Sequence, residues 1–294
     1  MKSFIATTYC ALTLAACGAS TPSATPVDGA KGALTVQSYT ASEKGVFVTS
    51  SLILSEHEAI LIDAQFLNSD AQKVVDLIHE SGRQLKSIYL THAHPDHSFG
   101  LAVIQAAFPE ARVLAAPMVK GEMKASFEPK HAFWKPIFGA DLTDTEVVPT
   151  AYDSPTMTLE GREIKLLGPQ QGDIDHTVSV YVPDAKTLIT GDVSFSGTHV
   201  WLADSKAPEW EAWLATLTEL EALHPTTVIS GHHDPDQPNA PTDLSATAQY
   251  IRDFRDVVAT SHSADEVVQA MTAKYPTRKL AMVLTIAAGA AFPK

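Results

Sequence analysis

The order of apolar and polar residues predicts strands and helices that alternate along most of the chain. Residues 45–54 and 58–64 are rich in β-branched and apolar side chains and predict two paired strands. Residues 69–82 carry apolar side chains at helical spacing, and the apolar segments 85–90 and 112–115 predict strands on either side of a second, short helix. This alternation predicts an α/β fold with parallel strands in one sheet.

The pattern changes in the middle of the chain. Residues 116–155 lack strand alternation and contain aromatic and methionine side chains, so they predict a helical insertion that either covers a pocket or packs on the domain. Strand patterns return between 158 and 190, followed by an amphipathic helix at 210–223 and a last core strand at 226–230. The helical tail, 244–294, ends in an apolar segment that is predicted to pack on the domain.

The N-terminus has the pattern of an exported protein. A basic start and a short apolar segment predict a signal peptide over residues 1–16, because the segment is too short to span a bilayer. The residues before Cys17 resemble a bacterial lipobox, which implies lipidation of Cys17, whereas ordinary signal cleavage is the alternative. Since Gly18 follows, the resemblance points to the periplasmic side of the outer membrane. Residues 17–32 are small, polar and Pro-rich, and they predict a flexible tether to one domain at 33–294.

Composition and charge restrict the classes of function. A chain of 294 residues, of which 45% are hydrophobic, is large enough for a packed core. The formal net charge of −13 repels nucleic-acid phosphates, so no nucleic-acid partner is expected. Cys10 would leave with the signal peptide and Cys17 would carry lipid, which excludes a disulfide in the mature chain and a cysteine nucleophile in the domain.

The densest group of chemically active side chains follows the predicted strand at 85–90. Three imidazoles and a carboxylate lie on one short loop, at His92, His94, Asp96 and His97. Alternate residues of an extended segment point to the same side, so His92 and His94 can hold one ion while Asp96 and His97 face another. A loop at the end of a buried strand is rigid enough to hold such ligands in place.

Three further candidates lie at the ends of strands. His176 precedes a predicted strand at 178–182, Asp192 directly follows the one at 187–190, and His232 directly follows the last core strand. Each is a weak signal alone, because an isolated histidine is usually a surface or packed residue. Their common position at strand ends favours one shared site.

With these residues the chain resembles the metallo-β-lactamase superfamily over about residues 45–235. The resemblance implies a four-layer αββα sandwich with two metal ions at one edge of its sheets. It also implies that Asp63, at the end of its strand, hydrogen-bonds a ligating histidine and fixes its ring. The implied ligand sets are His92, His94 and His176 for the first ion, Asp96, His97 and His232 for the second, and Asp192 bridging both.

Imidazole and carboxylate ligands suit two Zn²⁺ ions, with Fe or Mn as alternatives. The resemblance implies that a hydroxide bridging the two ions attacks a carbonyl group. Asp96 is expected to be catalytic, since it can orient that nucleophile and carry a proton to the leaving group. The expected activity is hydrolysis of a lactone, ester or amide-type bond in a small-molecule substrate.

The residues after Asp192 are expected to line the substrate pocket. They include Phe195, His199 and Trp201, and His199 is a candidate hydrogen-bond donor to a substrate oxygen. No Lys or Arg lies between Asp192 and Trp201, so this segment offers no clamp for a substrate carboxylate.

Four other activities stay open on the sequence. A metallo-β-lactamase that hydrolyses β-lactam antibiotics fits export and the ligand set Asp96, His97 and His232, and the missing clamp counts against it. A glyoxalase II-like thioesterase fits the motif, although its glutathione substrate is mainly cytoplasmic. A persulfide dioxygenase-like oxidoreductase would use one iron, and a non-catalytic binding protein would use the fold as a scaffold. Membrane contact is expected through the lipid anchor only, and the oligomeric state is not predicted.

Overall fold

The computed structural model describes residues 32–292. The predicted signal peptide, Cys17 and the tether up to residue 31 lie outside the described residues. The strands are β1 Thr35–Thr40, β2 Thr49–Leu54, β3 Glu58–Ile62, β4 Gln84–Leu90, β5 Arg112–Ala115, β6 Thr150–Ala151, β7 Thr156–Leu159, β8 Arg162–Gln170, β9 Thr177–Val182, β10 Thr187–Ile189, β11 Phe195–Ser196, β12 Thr227–Ile229 and β13 His232–His233. The helices are α1 Asn68–Ser81, α2 Leu101–Ala107, α3 Pro117–Phe138, α4 Ala207–Glu221, α5 Thr242–Thr260, α6 Ala264–Lys274 and α7 Ala281–Ala291.

Two sheets form the centre of the molecule. The first has the order β1-β2-β3-β4-β5-β6, in which β1, β2 and β3 pair antiparallel and β3 to β6 pair parallel. The second has the order β12-β10-β9-β8-β7 and is antiparallel except between β10 and β12. The predicted parallel run of β3, β4 and β5 is therefore confirmed.

The alternation of side chains in β10 and β12 explains the layers. Ile189 and Ile229 face the core between the sheets, which also contains residues of the first sheet and of α1. Their neighbours Leu188 and Val228 point to the opposite face and pack with residues of α4 and α5. Because successive strand residues point to opposite sides, one strand serves both layers. The predicted αββα sandwich is confirmed.

Two parts differ from the sequence-based expectation. The strand β1, Thr35–Thr40, was not predicted, and it lies at the edge of the first sheet beside β2. The segment 116–155 is not a mixture of short helices and loops alone. It contains one long helix that continues through Pro129 and Pro136, and it ends in β6, which pairs with β5.

Parallel strands bring the ends of β3, β4, β10 and β12 to one edge of the sandwich. Asp63 and Thr91 follow β3 and β4 and are hydrogen-bonded to each other at 2.8 Å. Gly191 and Gly231 follow β10 and β12, and the amide of Gly231 donates to the carbonyl of Gly191 at 2.9 Å. None of the helices within residues 32–292 is both long and apolar enough to cross a membrane.

Candidate metal centre

Asp63 organises the histidine loop from beneath. Its carboxylate accepts hydrogen bonds from the backbone amide and the hydroxyl of Thr91, both at 2.8 Å, and from Nδ1 of His97, also at 2.8 Å. The Thr91 hydroxyl lies 2.9 Å from Nδ1 of His92. Since the hydroxyl gives its proton to Asp63, it accepts the Nδ1 proton of His92. The contact that the resemblance implied for Asp63 is therefore present, and it reaches two rings.

These hydrogen bonds set which nitrogen of each ring is free. A neutral imidazole carries one proton, so protonation at Nδ1 leaves a lone pair on Nε2. The Nε2 atoms of His92 and His97 are buried and have no hydrogen-bond partner among the described residues. The ring of His232 is oriented in a similar way, because its Nδ1 donates to the carbonyl of Val46 at 2.7 Å, while its Nε2 faces Oδ2 of Asp192 at 3.2 Å. The three Nε2 lone pairs are thus available to a metal ion.

Asp192 lies between these rings. One carboxylate oxygen, Oδ1, is 3.0 Å from Nε2 of His97. The other, Oδ2, is 3.2 Å from Nε2 of His232 and 3.6 Å from Nε2 of His92. Asp96 completes the group on the side of His232, with its Oδ2 3.2 Å from the same nitrogen. A carboxylate in this central position can bridge two ions.

In His94 the other ring nitrogen, Nδ1, faces the centre. The Nδ1 of His94 lies 2.9 Å from Oδ2 of Asp173 and 3.9 Å from Oδ2 of Asp192. Its Nε2 points to the rim, 3.4 Å from the carboxylate of Asp204, which also accepts a hydrogen bond from the Trp201 indole at 2.7 Å. Asp204 therefore orients the His94 ring from outside.

The position of His176 is the main correction. His176 was expected beside His92 and His94, but its Nδ1 lies 2.6 Å from a carboxylate oxygen of Glu122 on α3. Asp173, three residues earlier, occupies the inner position, where it is fully buried. The two residues lie in one tight turn before β9, in which His176 has a φ of +62° in the left-handed region.

Four groups of potential ligand side chains converge within the described part of the chain. Asp63, His92 and His97 form the contact beneath the loop described above, and two further groups surround the centre. Within residues 32–292, ligand atoms of each group lie within 4.8 Å of one another. One group is His92, His94, Asp173 and Asp192, and the other is Asp96, His97 and His232. A separate, more exposed group contains Glu122, Asp175 and His176.

Buried polar atoms without partners test whether these residues fit metal ions. Four such atoms point into the centre and make no hydrogen bond of normal geometry, although oppositely charged groups lie 2.9–3.6 Å away: Nε2 of His92, Nε2 of His97, Oδ2 of Asp173 and Oδ1 of Asp192. Buried polar atoms almost always have a partner, since leaving one unpaired costs about 1–3 kcal/mol. One or two divalent cations among nitrogen and carboxylate donors would satisfy all four atoms. The residues fit such ions.

The electrostatics of the centre favour positive charge. Burial alone would lower the pKa of His97, but the carboxylates of Asp192 and Asp63 raise it well above its usual value. Burial opposes protonation of His232 as well, yet Asp192 and Asp96 raise its pKa to about 10. Burial would raise the pKa of Asp96, but His232 and His97 hold it well below its usual range. A cage that holds protons so strongly also attracts a metal cation.

A cavity of about 140 Å³ opens onto the centre. The pocket residues expected from the sequence, Phe195, His199 and Trp201, all line it. The ring of Phe195 stacks on that of His232 with centroids 5.3 Å apart, which fixes the histidine from the side. Asp96 and Asp192 reach the cavity as well, so a bound molecule would contact the centre directly.

Sequence patterns did not identify several residues of this cavity. Lys130 of α3 lines it, and its ammonium group donates to the carbonyl of Ala93 at 2.9 Å. The helical tail contributes Leu280, Met282 and Val283. These side chains occur in segments whose periodicity indicates only packing. Asp173 gave a weak signal, since it lies in the same short segment as the expected ligand His176.

Comparisons with known proteins agree with this geometry. A family model described as the metallo-beta-lactamase superfamily matches residues 44–232. A hydroxyacylglutathione hydrolase of Albidiferax ferrireducens is 38% identical over 56 residues, which are 19% of this chain and 20% of that protein. The uncharacterised protein YobT of Bacillus subtilis is 36% identical over 67 residues, or 23% of this chain and 28% of YobT. The chain thus spans less than a third of the length of either relative.

Solved structures show the same fold at low identity. A metallo-beta-lactamase family protein of Thermus thermophilus superposes with a TM-score of 0.61 at 19% identity, covering 88% of this chain and 91% of the other. A metallo-beta-lactamase of Pontibacter korlensis superposes with a TM-score of 0.55 at 18% identity, covering 75% and 95% respectively. At these identities the likeness establishes the fold.

Proposed function

Because the chain belongs to the metallo-beta-lactamase superfamily, we propose that it is a dinuclear metal-dependent hydrolase that cleaves a lactone, ester or amide-type bond of a small molecule. The observation that carries the proposal is the pair of ligand groups around the buried carboxylate of Asp192, which open together onto one cavity. Two divalent ions bound there would activate a water molecule and polarise the substrate carbonyl group.

The metals proposed are two Zn²⁺ ions, with Mn²⁺ or Fe²⁺ as alternatives. Imidazole nitrogen and carboxylate oxygen both suit zinc. The first group, however, contains the carboxylates of Asp173 and Asp192 beside two imidazoles, and oxygen-rich sets shift preference towards Mn²⁺ or Fe²⁺.

Asp96 is the proposed proton carrier. Its side chain lines the cavity and is 14% exposed, whereas Asp192 is almost completely buried. Its carboxylate oxygens lie beside His232 at the cavity, where they can accept a proton from the attacking water and deliver it to the leaving group. Asp63 fixes the ring of His97 and Phe195 fixes the ring of His232, so the imidazoles beside Asp96 keep their positions.

The walls of the cavity favour a substrate with an apolar part. Phe66 and Trp134 line one part of the cavity, and Leu280 and Val283 of the tail line another. Burying apolar surface contributes about 25 cal/mol per Å². Aryl or alkyl esters and lactones fit such walls, and these walls exclude bulk water from the reacting bond.

A second candidate function is hydrolysis of β-lactams. Lys130 favours it, because an ammonium group on the cavity wall can bind the carboxylate that these compounds carry. The missing clamp after Asp192 therefore no longer counts against this reading. A thioesterase resembling the hydroxyacylglutathione hydrolase rests on a short match and is the third candidate.

The test combines metal analysis with a substrate panel of lactones, aryl esters, thioesters and β-lactams. We expect close to two ions per chain and turnover of one class. Asp96→Ala should remove most of that turnover while the protein stays folded, and Asp256→Ala, at a carboxylate that is 69% exposed on α5, is the matched control. One iron per chain without hydrolysis would refute the proposal and favour the oxygenase-like alternative. A variant Asp96→Ala with unchanged turnover would refute the role of Asp96.

The ligand assignment has its own test, which needs no substrate. Asp173→Asn should weaken binding of the first ion by at least about tenfold, because it removes a charged ligand. His176→Gln should leave metal content unchanged, since His176 contacts Glu122 instead. The opposite result would restore the assignment that the resemblance implied.

Export and lipid anchoring are also proposed. The lipobox resemblance at Cys17 supports them, and the outer membrane is the expected place. Cys17→Ser should release the protein from the membrane fraction after cell lysis. If the variant still sediments with membranes, Cys17 does not carry the anchor.

A further inference from the structure

A buried histidine outside both ligand groups forms part of the cavity wall. His199 is 2% exposed, and its Nδ1 lies 2.8 Å from the hydroxyl of Tyr250 on α5. Tyr250 is completely buried. Because Nδ1 faces the tyrosine, the Nε2 edge of the ring is the part left to face the cavity that His199 lines.

The pairing with Tyr250 determines where the proton of the ring lies. A phenol is a stronger donor than a neutral imidazole N–H, and an unprotonated imidazole nitrogen is a strong acceptor. The Tyr250 hydroxyl therefore donates to Nδ1, and the proton of the imidazole remains on Nε2. Burial and the positive charge of Arg278 lower the pKa of His199 to about 4, so the ring stays neutral near neutral pH.

The C-terminal segment holds this histidine in position. The backbone amide of His199 donates to the carbonyl of Lys279 at 3.0 Å, and the amide of Lys279 donates to the carbonyl of Gly197 at 2.9 Å. The guanidinium of Arg278 donates to the carbonyl of Thr198 and lies 4.7 Å from the centroid of the Tyr250 ring. Backbone and ring are thus both fixed before any substrate binds.

We propose that His199 is a preorganised neutral donor, whose Nε2–H binds a carbonyl or carboxylate oxygen of the substrate, and that Tyr250 is the positioning residue that maintains this tautomer. The inference rests on the proposed hydrolase function and specifies which substrate atom the His199 part of the cavity wall recognises. A neutral donor suits this place, because it binds an oxygen in the substrate and in the transition state without adding a titrating charge to the centre. It also discriminates against substrates that lack an oxygen acceptor there.

The tautomer is tested first, in the zinc-loaded protein without substrate. The NMR signals of the imidazole nitrogens are recorded on protein labelled with ¹⁵N-histidine. The variant His199→Gln identifies the signals of His199, and the variant Tyr250→Phe shows the effect of removing the tyrosine hydroxyl. We expect the Nε2–H tautomer in the wild-type protein and a mixture of tautomers in Tyr250→Phe, where Nδ1 has lost its donor. A wild-type ring protonated at Nδ1 would overturn the inference.

Kinetics then test the contact with substrate, using the substrate of the panel that is turned over fastest. His199→Phe should lower kcat/KM by about 10²–10³-fold, mainly through kcat. His199→Gln should stay within about tenfold of the wild type, because its amide nitrogen can occupy the place of Nε2 and donate. Equal losses in both variants, or a loss below about threefold in His199→Phe, would overturn the inference. Thermal unfolding of both variants is the control for folding, and we expect both to unfold cooperatively as the wild type does.

A binding experiment keeps the two proposals separate. Hexanoate, an apolar chain with one carboxylate, is titrated into the zinc-loaded wild type and both His199 variants. We expect it to shift the His199 Nε2–H signal and to bind at least about tenfold more weakly to His199→Phe only. If no panel substrate is hydrolysed but hexanoate behaves as expected, the hydrolase proposal fails and the donor stands. An unchanged signal with bound hexanoate overturns the donor.

Discussion

Asp63→Asn is the sharpest test of how the centre is held together. The two oxygens of Asp63 accept three hydrogen bonds, two from Thr91 and one from His97, all at 2.8 Å. Asparagine has the same shape but replaces one acceptor oxygen with a donor NH₂ group. Whichever way the amide faces, a donor meets a donor, and at least one of the three bonds is lost.

The expected magnitude follows from those bonds. A hydrogen bond to a charged group contributes about 1.5–3 kcal/mol, and Asp63 is almost completely buried, so no water replaces it. We expect the metal-free protein to lose about 2–3 kcal/mol of unfolding free energy. If the NH₂ group replaces the oxygen that faces His97, the ring loses its acceptor and can rotate or change tautomer. If it replaces the oxygen that faces the Thr91 amide, the start of the histidine loop loses its anchor. Either change should reduce metal affinity by about 10–100-fold.

The assay measures both quantities separately. Urea unfolding of metal-free protein gives the stability, and zinc competition with a chromophoric chelator gives the affinity. Asp76→Asn is the matched control, because Asp76 lies on the surface of α1 with its side chain 49% exposed. Wild-type zinc affinity in Asp63→Asn would refute the argument that Asp63 aims His97 at the metal. Lower stability with unchanged affinity would assign Asp63 to the fold alone.

Two further predictions concern a glycine and a buried acid. Gly231→Ala should abolish metal binding at both groups, because the added Cβ would lie 2.0 Å from Oδ1 of Asp192. The measurement is metal content after dialysis, and retention of both ions would contradict the prediction. Asp253 accepts hydrogen bonds from Tyr275 at 2.5 Å and Lys274 at 2.6 Å, and these outweigh burial and lower its pKa. Because its pKa is lower in the folded state, its stabilisation is present above the unfolded pKa of about 4 and is lost as pH falls through the folded pKa. Asp253→Asn should therefore lower the free energy of unfolding, measured with urea, by about 1–3 kcal/mol near neutral pH and by progressively less below about pH 4. A loss of stability that does not depend on pH would refute the charge argument.

The elements that the sequence predicted are those whose signal is local. The parallel strands β3, β4 and β5 are buried at their C-terminal ends, so each contains a short apolar run, and the helices between them have helical apolar spacing. The strand β1, Thr35–Thr40, lacks such a signal because its residues are mostly exposed or half-buried. It forms only because β2 offers a free edge, and a contact of that kind is invisible in a sequence pattern.

The same distinction applies to the metal ligands. His92, His94, Asp96 and His97 lie on one short loop after β4, so their closeness in sequence alone brings them together. The choice between Asp173 and His176 depends on the turn that contains both and on the Glu122 carboxylate of α3, which no local pattern contains.

The part of the chain that matches the family model and the helical tail contribute differently to the site. The candidate metal ligands all lie within residues 44–232, the part that matches the family model. Tyr250 and Arg278, which position His199, lie beyond that part. The cavity residues from Leu280 to Val283 lie beyond it as well. The candidate metal ligands therefore come from the part that matches the family model, while the tail supplies one part of the cavity wall and the residues that position His199. Substitutions in the tail should therefore change which substrate is turned over while metal content stays constant, because no candidate ligand comes from it.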